Sequence, residues 1–191
     1  MAERNEFETR LQALREVFGD LSDGPGILAA PATLGTLRFA EVADARATAD
    51  DLFRKSFHAD VPAFPRHFVL LPEGGAGGKA IGYVHYTRAG PIYLGGGLVV
   101  SAMDFRRLDR PTAELVREAG GLAEWLMRNA HAALEGEAVF GYVGDALALR
   151  VDLRVGYEPT DHSRVYGLWR PGVSPERRRW LAERVAAFGP F

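Results

Sequence analysis

The 191-residue chain contains no cysteine. That absence excludes a disulfide framework, a thiolate nucleophile and a cysteine-ligated zinc, and it agrees with a cytoplasmic protein. An excess of one charge is lacking too: 23 Lys and Arg stand against 25 Asp and Glu, a net charge of -2. Generic nucleic-acid binding usually needs a basic surface that displaces counterions, so nucleic acid is not an expected partner. No window approaches the roughly 20 apolar residues of a membrane span. The N-terminus, "MAERNEFETRLQALREVF", has no continuous apolar core of the kind a secretion signal carries. A soluble protein without a membrane partner is expected. The five histidines, at 58, 67, 85, 131 and 162, lack HExxH or a similar ligand spacing, so no metal is expected. There is no Gly-x-Ser-x-Gly elbow, and "GGAGG" (74–78) lacks the Lys-Ser/Thr ending of a phosphate loop. It reads instead as a hairpin connection.

What is present is a regular alternation of short elements. Phe7, Leu11, Leu14, Val17 and Phe18 recur at helical spacing, and "GDLSDGPG" ends that helix. A strand at Thr36–Val42 precedes a helix through "ARATADDLFRKSF" that Asp44 is placed to cap. "RHFVLLPE", "KAIGYVHYTRAG" and "IYLGGGLVVS" are three strands joined by tight turns, an antiparallel meander. In the second of these Ile81, Tyr83 and His85 share a face. The glycines Gly95, Gly96 and Gly97 inside the third signal a bulge or a close backbone approach. An arginine-rich stretch follows, then a helical turn that Thr112 is placed to cap. "LAEWLMRNAHAAL" is the main helix and "AVFGYVG" a strand. "DALALRVDLRVG" is a helix with Asp145 as its cap and Gly156 as its stop. "RVYGLWR" is the last strand. "SPERRRWLAERVAAF" is a terminal helix with Ser174 as N-cap and Pro175 at its first position. No linker or repeat divides the chain, so one domain is expected over 1–191. It carries an added N-terminal helix (about 3–19) and C-terminal helix (about 174–188). A strand–helix–strand crossover favours parallel pairing. The expected fold class is α/β: a mixed, mostly antiparallel sheet of about six to seven strands flanked by helices.

This order, from about Thr36 to Arg170, resembles the GCN5-related N-acetyltransferase (GNAT) superfamily. In "DALALRVDLRVGYEP", Ala148, Val151, Gly156 and Tyr157 match the family's Asn-x-x-Ala-x-x-Leu-Tyr-x-x-x-Gly-Phe pattern. Asp145 replaces the asparagine and Asp152 the tyrosine. A second family signature, Arg/Gln-x-x-Gly-x-Gly/Ala, is met by Gly121-Leu122-Ala123, but Glu118 stands at the Arg/Gln position, with Arg117 one residue away. Glycines there let backbone N–H groups approach a pyrophosphate at a helix N-terminus. Gly120-Gly121 also reads as a plain break between two helices, and the sequence leaves both readings open.

The resemblance implies acetyl-CoA as co-substrate, bound by the Leu98, Val99, Val100 backbone and by Arg117, Gly120, Gly121, Leu122 and Ala123. Arg106, Arg107 and Arg110 are further candidates for the phosphates. It implies direct attack of an amine, from a small molecule or a peptide, on the thioester. Asp152 stands where the family keeps its acid, and it can donate a proton only if burial raises its pKa. Tyr83, Tyr142, His85 and Glu73 are alternatives by residue type. The competing reading is a non-catalytic protein of the same fold that binds a ligand or partner. A homodimer through the terminal helices is compatible with either.

Overall fold

The computed structural model describes residues 2–19, 29–63, 65–73 and 78–191, with side chains from residue 6 onward. The order is α1 (Ala2–Phe18), β1 (Ala32–Leu34), β2 (Leu37–Val42), α2 (Arg46–Phe57), β3 (Arg66–Pro72), β4 (Gly82–Ala89), β5 (Ile92–Val100) and α3 (Ala102–Phe105). Then come α4 (Arg110–Glu118), α5 (Leu122–Ala133), β6 (Ala138–Tyr142), α6 (Ala146–Arg154), β7 (Glu158–Pro159), β8 (Val165–Trp169) and α7 (Pro175–Phe188). The sheet has eight strands in the order β1-β2-β3-β4-β5-β6-β8-β7. β5 and β6 are parallel, from Ile92↔Ala138 to Gly95↔Gly141, while β2–β3, β3–β4 and β6–β8 are antiparallel. This is the expected mixed α/β class, with the short β1 and β7 added. The expected turns at 20–26 and 74–77 lie outside the described residues.

Contacts group the chain into two compact units. The first comprises Met1–Gly26, Thr87–Gly96 and Glu135–Phe191. Its core joins Leu11 and Leu14 of α1 to Ile92 and Leu94 of β5, Phe140 of β6, and Leu181, Val185 and Phe188 of α7. Burial of each such side chain stabilises by about 1.5–3 kcal/mol. Phe7 meets Phe188 edge-on at 5.5 Å and Phe18 meets Trp180 at 5.4 Å. The apolar residues of the two terminal helices, which a dimer interface would use, therefore meet inside this unit. Ser174 caps α7, accepting the Arg177 N–H at 3.2 Å, with Pro175 following it.

The second unit comprises Ile27–Tyr86 and Gly97–Leu134. Ala49 and Phe53 of α2 cover one face of its strands with Ala40, Val69, Leu71, Tyr83 and Val99. On the other face Phe39 stacks on Phe68 at 5.7 Å, and Tyr86 donates or accepts at His131 Nε2 of α5 at 2.9 Å. Two capping expectations are corrected here. α2 has Ala45 as N-cap, although Asp44 does accept the Arg46 N–H at 2.9 Å. α4 is capped by Asp109, which accepts the Thr112 N–H. Thr112 is instead buried, its hydroxyl accepting the Thr36 N–H at 2.9 Å. A Pro at position 111 explains the shift, because it favours the first turn of a helix that has already begun.

Candidate functional site

The residues expected at the cofactor lie in the second unit. Val99 packs into its core, while Leu98 and Val100 alternate to the other side of β5 and are half-buried. α4 ends in a Schellman turn: the Gly121 N–H bonds the Val116 carbonyl at 2.8 Å and the Gly120 N–H bonds the Arg117 carbonyl at 3.1 Å. Both glycines sit at positive φ, 93° and 103°, a conformation that side-chain-bearing residues avoid. The break reading of Gly120-Gly121 is therefore physically realised. Their N–H groups close α4 and do not point outward to an anion. α5 begins at once with Gly121 as N-cap, and its first backbone bond runs from Trp125 N–H to the Gly121 carbonyl. The Leu122 and Ala123 N–H groups belong to the unbonded first turn, so they are the backbone donors left for a ligand.

Glu124, which the sequence analysis does not single out, lies over this turn. It is buried, and its carboxylate folds over Gly120, so that a Cβ on that glycine would meet Glu124 Oε2. Arg128 Nη2 stands 3.7 Å from the same oxygen. A carboxylate at the third position of a helix whose N-cap is glycine favours the positive end of the dipole. That spacing, Gly121 then Glu124, was a readable signal. Arg117 is exposed in the last turn of α4, its guanidinium 5.4 Å from the centre of the Phe105 ring. Arg107 is paired with Asp104 at 3.0 Å and Arg110 with Glu114 at 2.8 Å. Arg106 is exposed.

Asp152 lies in the first unit. α6 is held at its start by Asp145, whose carboxylate accepts the Leu147 and Ala148 N–H groups at 2.7 and 2.9 Å. Two turns on, Asp152 is the only described residue of this helix that is buried, at 8% exposure, whereas Leu147 is 66% exposed. Its Oδ2 faces β6, 3.6 Å from where a Cβ on Gly141 would stand, beside the Tyr157 ring. No hydrogen bond is made by its carboxyl among the described residues. Burial, reinforced by the Asp145 charge, pushes the Asp152 carboxyl up to about 7.

The alternatives fall elsewhere. Tyr142 is half-buried against Phe191 at 5.9 Å, in the first unit. Glu73 is exposed and lines a cleft of about 760 Å³ in the second unit, with Asp51, Lys55, Lys79, Ser101 and Arg107. Asp51 and Lys79 are paired there at 2.9 Å. Tyr83 and His85 sit against Phe53 and β5 in the same unit. Among the described residues no group of His, Asp or Glu is arranged to hold a metal. No helix there is long and apolar enough to cross a membrane.

No protein-family model and no curated protein matches the chain. Solved structures do. The "KacTA–DNA complex" is 16% identical over 79% of this chain and 98% of its own, with a TM-score of 0.41. "AtaTR bound with AcCoA" is 14% identical over 79% and 98%, at 0.43. A "probable acetyltransferase (GNAT family)" from Chromobacterium violaceum is 16% identical over 80% and 97%, at 0.40. Each likeness is at 16% identity or less, with a TM-score below 0.5. Likeness at this distance assigns no residue a role.

Proposed function

We propose that the protein moves an acetyl group from acetyl-CoA to an amine of a small molecule or peptide. The observation that carries this reading is Asp152, a buried carboxyl raised to about 7, at the position the sequence resemblance reserves for a proton donor. A carboxyl that still holds its proton near neutrality suits protonation of a leaving CoA thiolate. The amine nitrogen forms the new C–N bond, the C–S bond breaks, sulfur takes the Asp152 proton, and the amine proton goes to a base. In this reading the Leu98–Val100 backbone takes the pantetheine arm. The Leu122 and Ala123 N–H groups, with Arg117, take the pyrophosphate.

Isothermal titration of acetyl-CoA tests the reading, with Ala123→Glu as control. Position 123 is the second residue of α5, where an acidic side chain is compatible with the helix but repels a phosphate. Saturable micromolar binding that the variant loses supports the assignment. No binding up to millimolar ligand overturns it.

The second reading, a partner- or ligand-binding protein without CoA chemistry, is favoured by one observation. The Glu124 carboxylate already lies over Gly120 at the N-terminus of α5, where an anion would have to enter.

A further inference from the structure

Beneath Gly97 of β5 the second unit holds a line of three polar rings. His67 of β3 and His85 of β4 are directly paired in the antiparallel register, and Val69 pairs with Tyr83. Strand alternation therefore sets His67, Tyr83 and His85 on one face, the face covered by α2. The Tyr83 hydroxyl stands between the two imidazoles, 2.9 Å from His67 Nδ1 and 3.2 Å from His85 Nδ1. Phe53 walls the group, edge-on to Tyr83 at 5.5 Å and 5.9 Å from His85. Gly97, at φ 60°, completes the enclosure: a Cβ there would lie 2.5 Å from Phe53 Cε2 and 2.7 Å from His85 Cε1. This is the close approach that the three successive glycines signalled. Among the described residues His85 Nε2 has no hydrogen-bond partner, and His85 is half-buried where His67 and Tyr83 are fully buried.

The line admits two proton arrangements, one the reverse of the other. A hydroxyl has one proton to donate, so Tyr83 donates to one imidazole and accepts an N–H from the other. A relay toward His67 has Tyr83 O–H donating to His67 Nδ1 across 2.9 Å and His85 Nδ1–H donating to the Tyr83 oxygen across 3.2 Å. His85 in that tautomer presents a bare lone pair at Nε2.

We propose that His85 is the base of the acyl transfer and that Tyr83 and His67 position it and relay the proton it takes. The assignment rests on the acyltransferase reading. Once the neutral amine has attacked the thioester carbonyl, an N–H bond of the nitrogen, now cationic, breaks and an Nε2–H bond forms on His85. Its Nδ1 proton then passes to the Tyr83 oxygen, and the Tyr83 proton passes to His67 Nδ1. No redox partner is needed, and the sequence ends with one imidazolium at His67.

Burial works against positive charge on both imidazoles, and they differ in what opposes it. Burial, and then the neighbouring His67, push the His85 imidazole down to about 3, so the proton does not rest on it. Burial also lowers His67, but the Asp44 and Glu41 carboxylates oppose that shift, with Arg46 acting the other way. Of the two imidazoles, His67 is the one with carboxylates opposing its shift. The ring line sits directly under Gly97, at the start of the segment assigned to the cofactor's pantetheine arm.

Nitrogen-15 imidazole NMR on the full chain, with Tyr83→Phe alongside, decides the relay. The expected result is His85 held as the Nδ1–H tautomer in the parent protein and released to a mixture in the variant. An Nε2–H tautomer on His85 in the parent protein overturns the proposal, because no lone pair would then face outward. The link to the cofactor is read by mass-spectrometric carbethoxylation of His85 with diethyl pyrocarbonate. At ten times its Kd, acetyl-CoA leaves about one protein molecule in eleven free, so modification of His85 slows about tenfold. Acetyl-CoA that binds by calorimetry and leaves His85 equally reactive also overturns the proposal. Failure of acetyl-CoA to bind at all instead removes the acyltransferase reading, and the NMR result then stands by itself.

Discussion

The two units treat their buried polar side chains in opposite ways. The second buries Glu41, His67, Thr112, Glu124 and His131, and each has a partner. Arg66 clamps Glu41 with two bonds of 2.6 and 2.7 Å, Tyr83 meets His67, Thr36 meets Thr112, Tyr86 meets His131, and Arg128 stands by Glu124. The first unit buries Thr87 and Asp152, and the Asp152 carboxyl makes no hydrogen bond among the described residues. A buried polar group with a partner has its hydrogen bonding satisfied inside the fold. A carboxyl buried without a donor responds by keeping its proton. The contrast teaches where to look for reactivity: a group whose burial is uncompensated in the resting fold is held there at a cost, and acid–base work is one return for that cost.

The comparison breaks most visibly if a partnered group is stripped of its partner. Arg66→Met removes both guanidinium bonds to the buried Glu41 carboxylate and leaves it the Ala29 N–H, at 2.6 Å, as its described partner. Removing one member of a buried pair costs about 3–5 kcal/mol, and urea denaturation should register a loss of that order. A loss under about 1 kcal/mol, the level of an exposed pair, would place Glu41 in better contact with solvent than its 5% side-chain exposure implies.

Asp152→Asn sharpens the other side of the comparison. The folded carboxyl titrates near 7 and the unfolded one near its ordinary value of 3.8, so between those values the folded state alone holds the proton. Stability contributed by this group is fully present below the unfolded value and is lost as pH rises toward and through the folded one. Asparagine resembles the protonated carboxyl and does not titrate. The variant should come close to the parent protein near pH 4 and exceed it at pH 8 by on the order of 4 kcal/mol. Denaturation curves at both pH values test this, and parallel stabilities would mean that Asp152 ionises freely. If the acyl-transfer reading holds, the same variant should bind acetyl-CoA normally and turn over more slowly.

Thr112→Val gives a smaller effect. It removes the acceptor of the Thr36 N–H while keeping the shape, and an unsatisfied buried donor costs about 1–3 kcal/mol. Because Gly35 packs its backbone against Thr112, the methyl must also fit where the hydroxyl sat. A neutral result by thermal denaturation would show that water reaches Thr36.

That residue also marks the limit of what the sequence makes legible. Element order, the caps Asp145 and Ser174, and the close approach at Gly97 all follow from local spacing, because helix termini and strand glycines are constrained by their immediate neighbours. Thr112 looked like a cap because threonine before a helical run is a local signal. Its real partner, Thr36, lies 76 residues away, and no periodicity reports such a contact. The His67–Tyr83–His85 line was half visible: alternation put Tyr83 and His85 together, but His67 joined them only through the β3–β4 register. Asp152 was legible as a substitution, and its burial was a condition that only the packing of α6 on β6 could meet.

The smallest expected effect concerns the one partnered carboxylate that competes with the proposed ligand. Glu124→Gln keeps the side chain's size and its reach over Gly120 but removes the negative charge from the first turn of α5. A charge near a helix end is worth roughly 0.3–1 kcal/mol, and the folded protein should lose about that much stability. An entering pyrophosphate meets less repulsion, so acetyl-CoA affinity should rise severalfold, read by the same calorimetric titration. Unchanged affinity alongside measurable binding would mean that the phosphates settle away from Gly120, on Arg117 and its neighbours. A fall in affinity would make Glu124 an organiser of the turn, one whose carboxylate holds Gly120 in place so that the Leu122 and Ala123 N–H groups can meet the ligand.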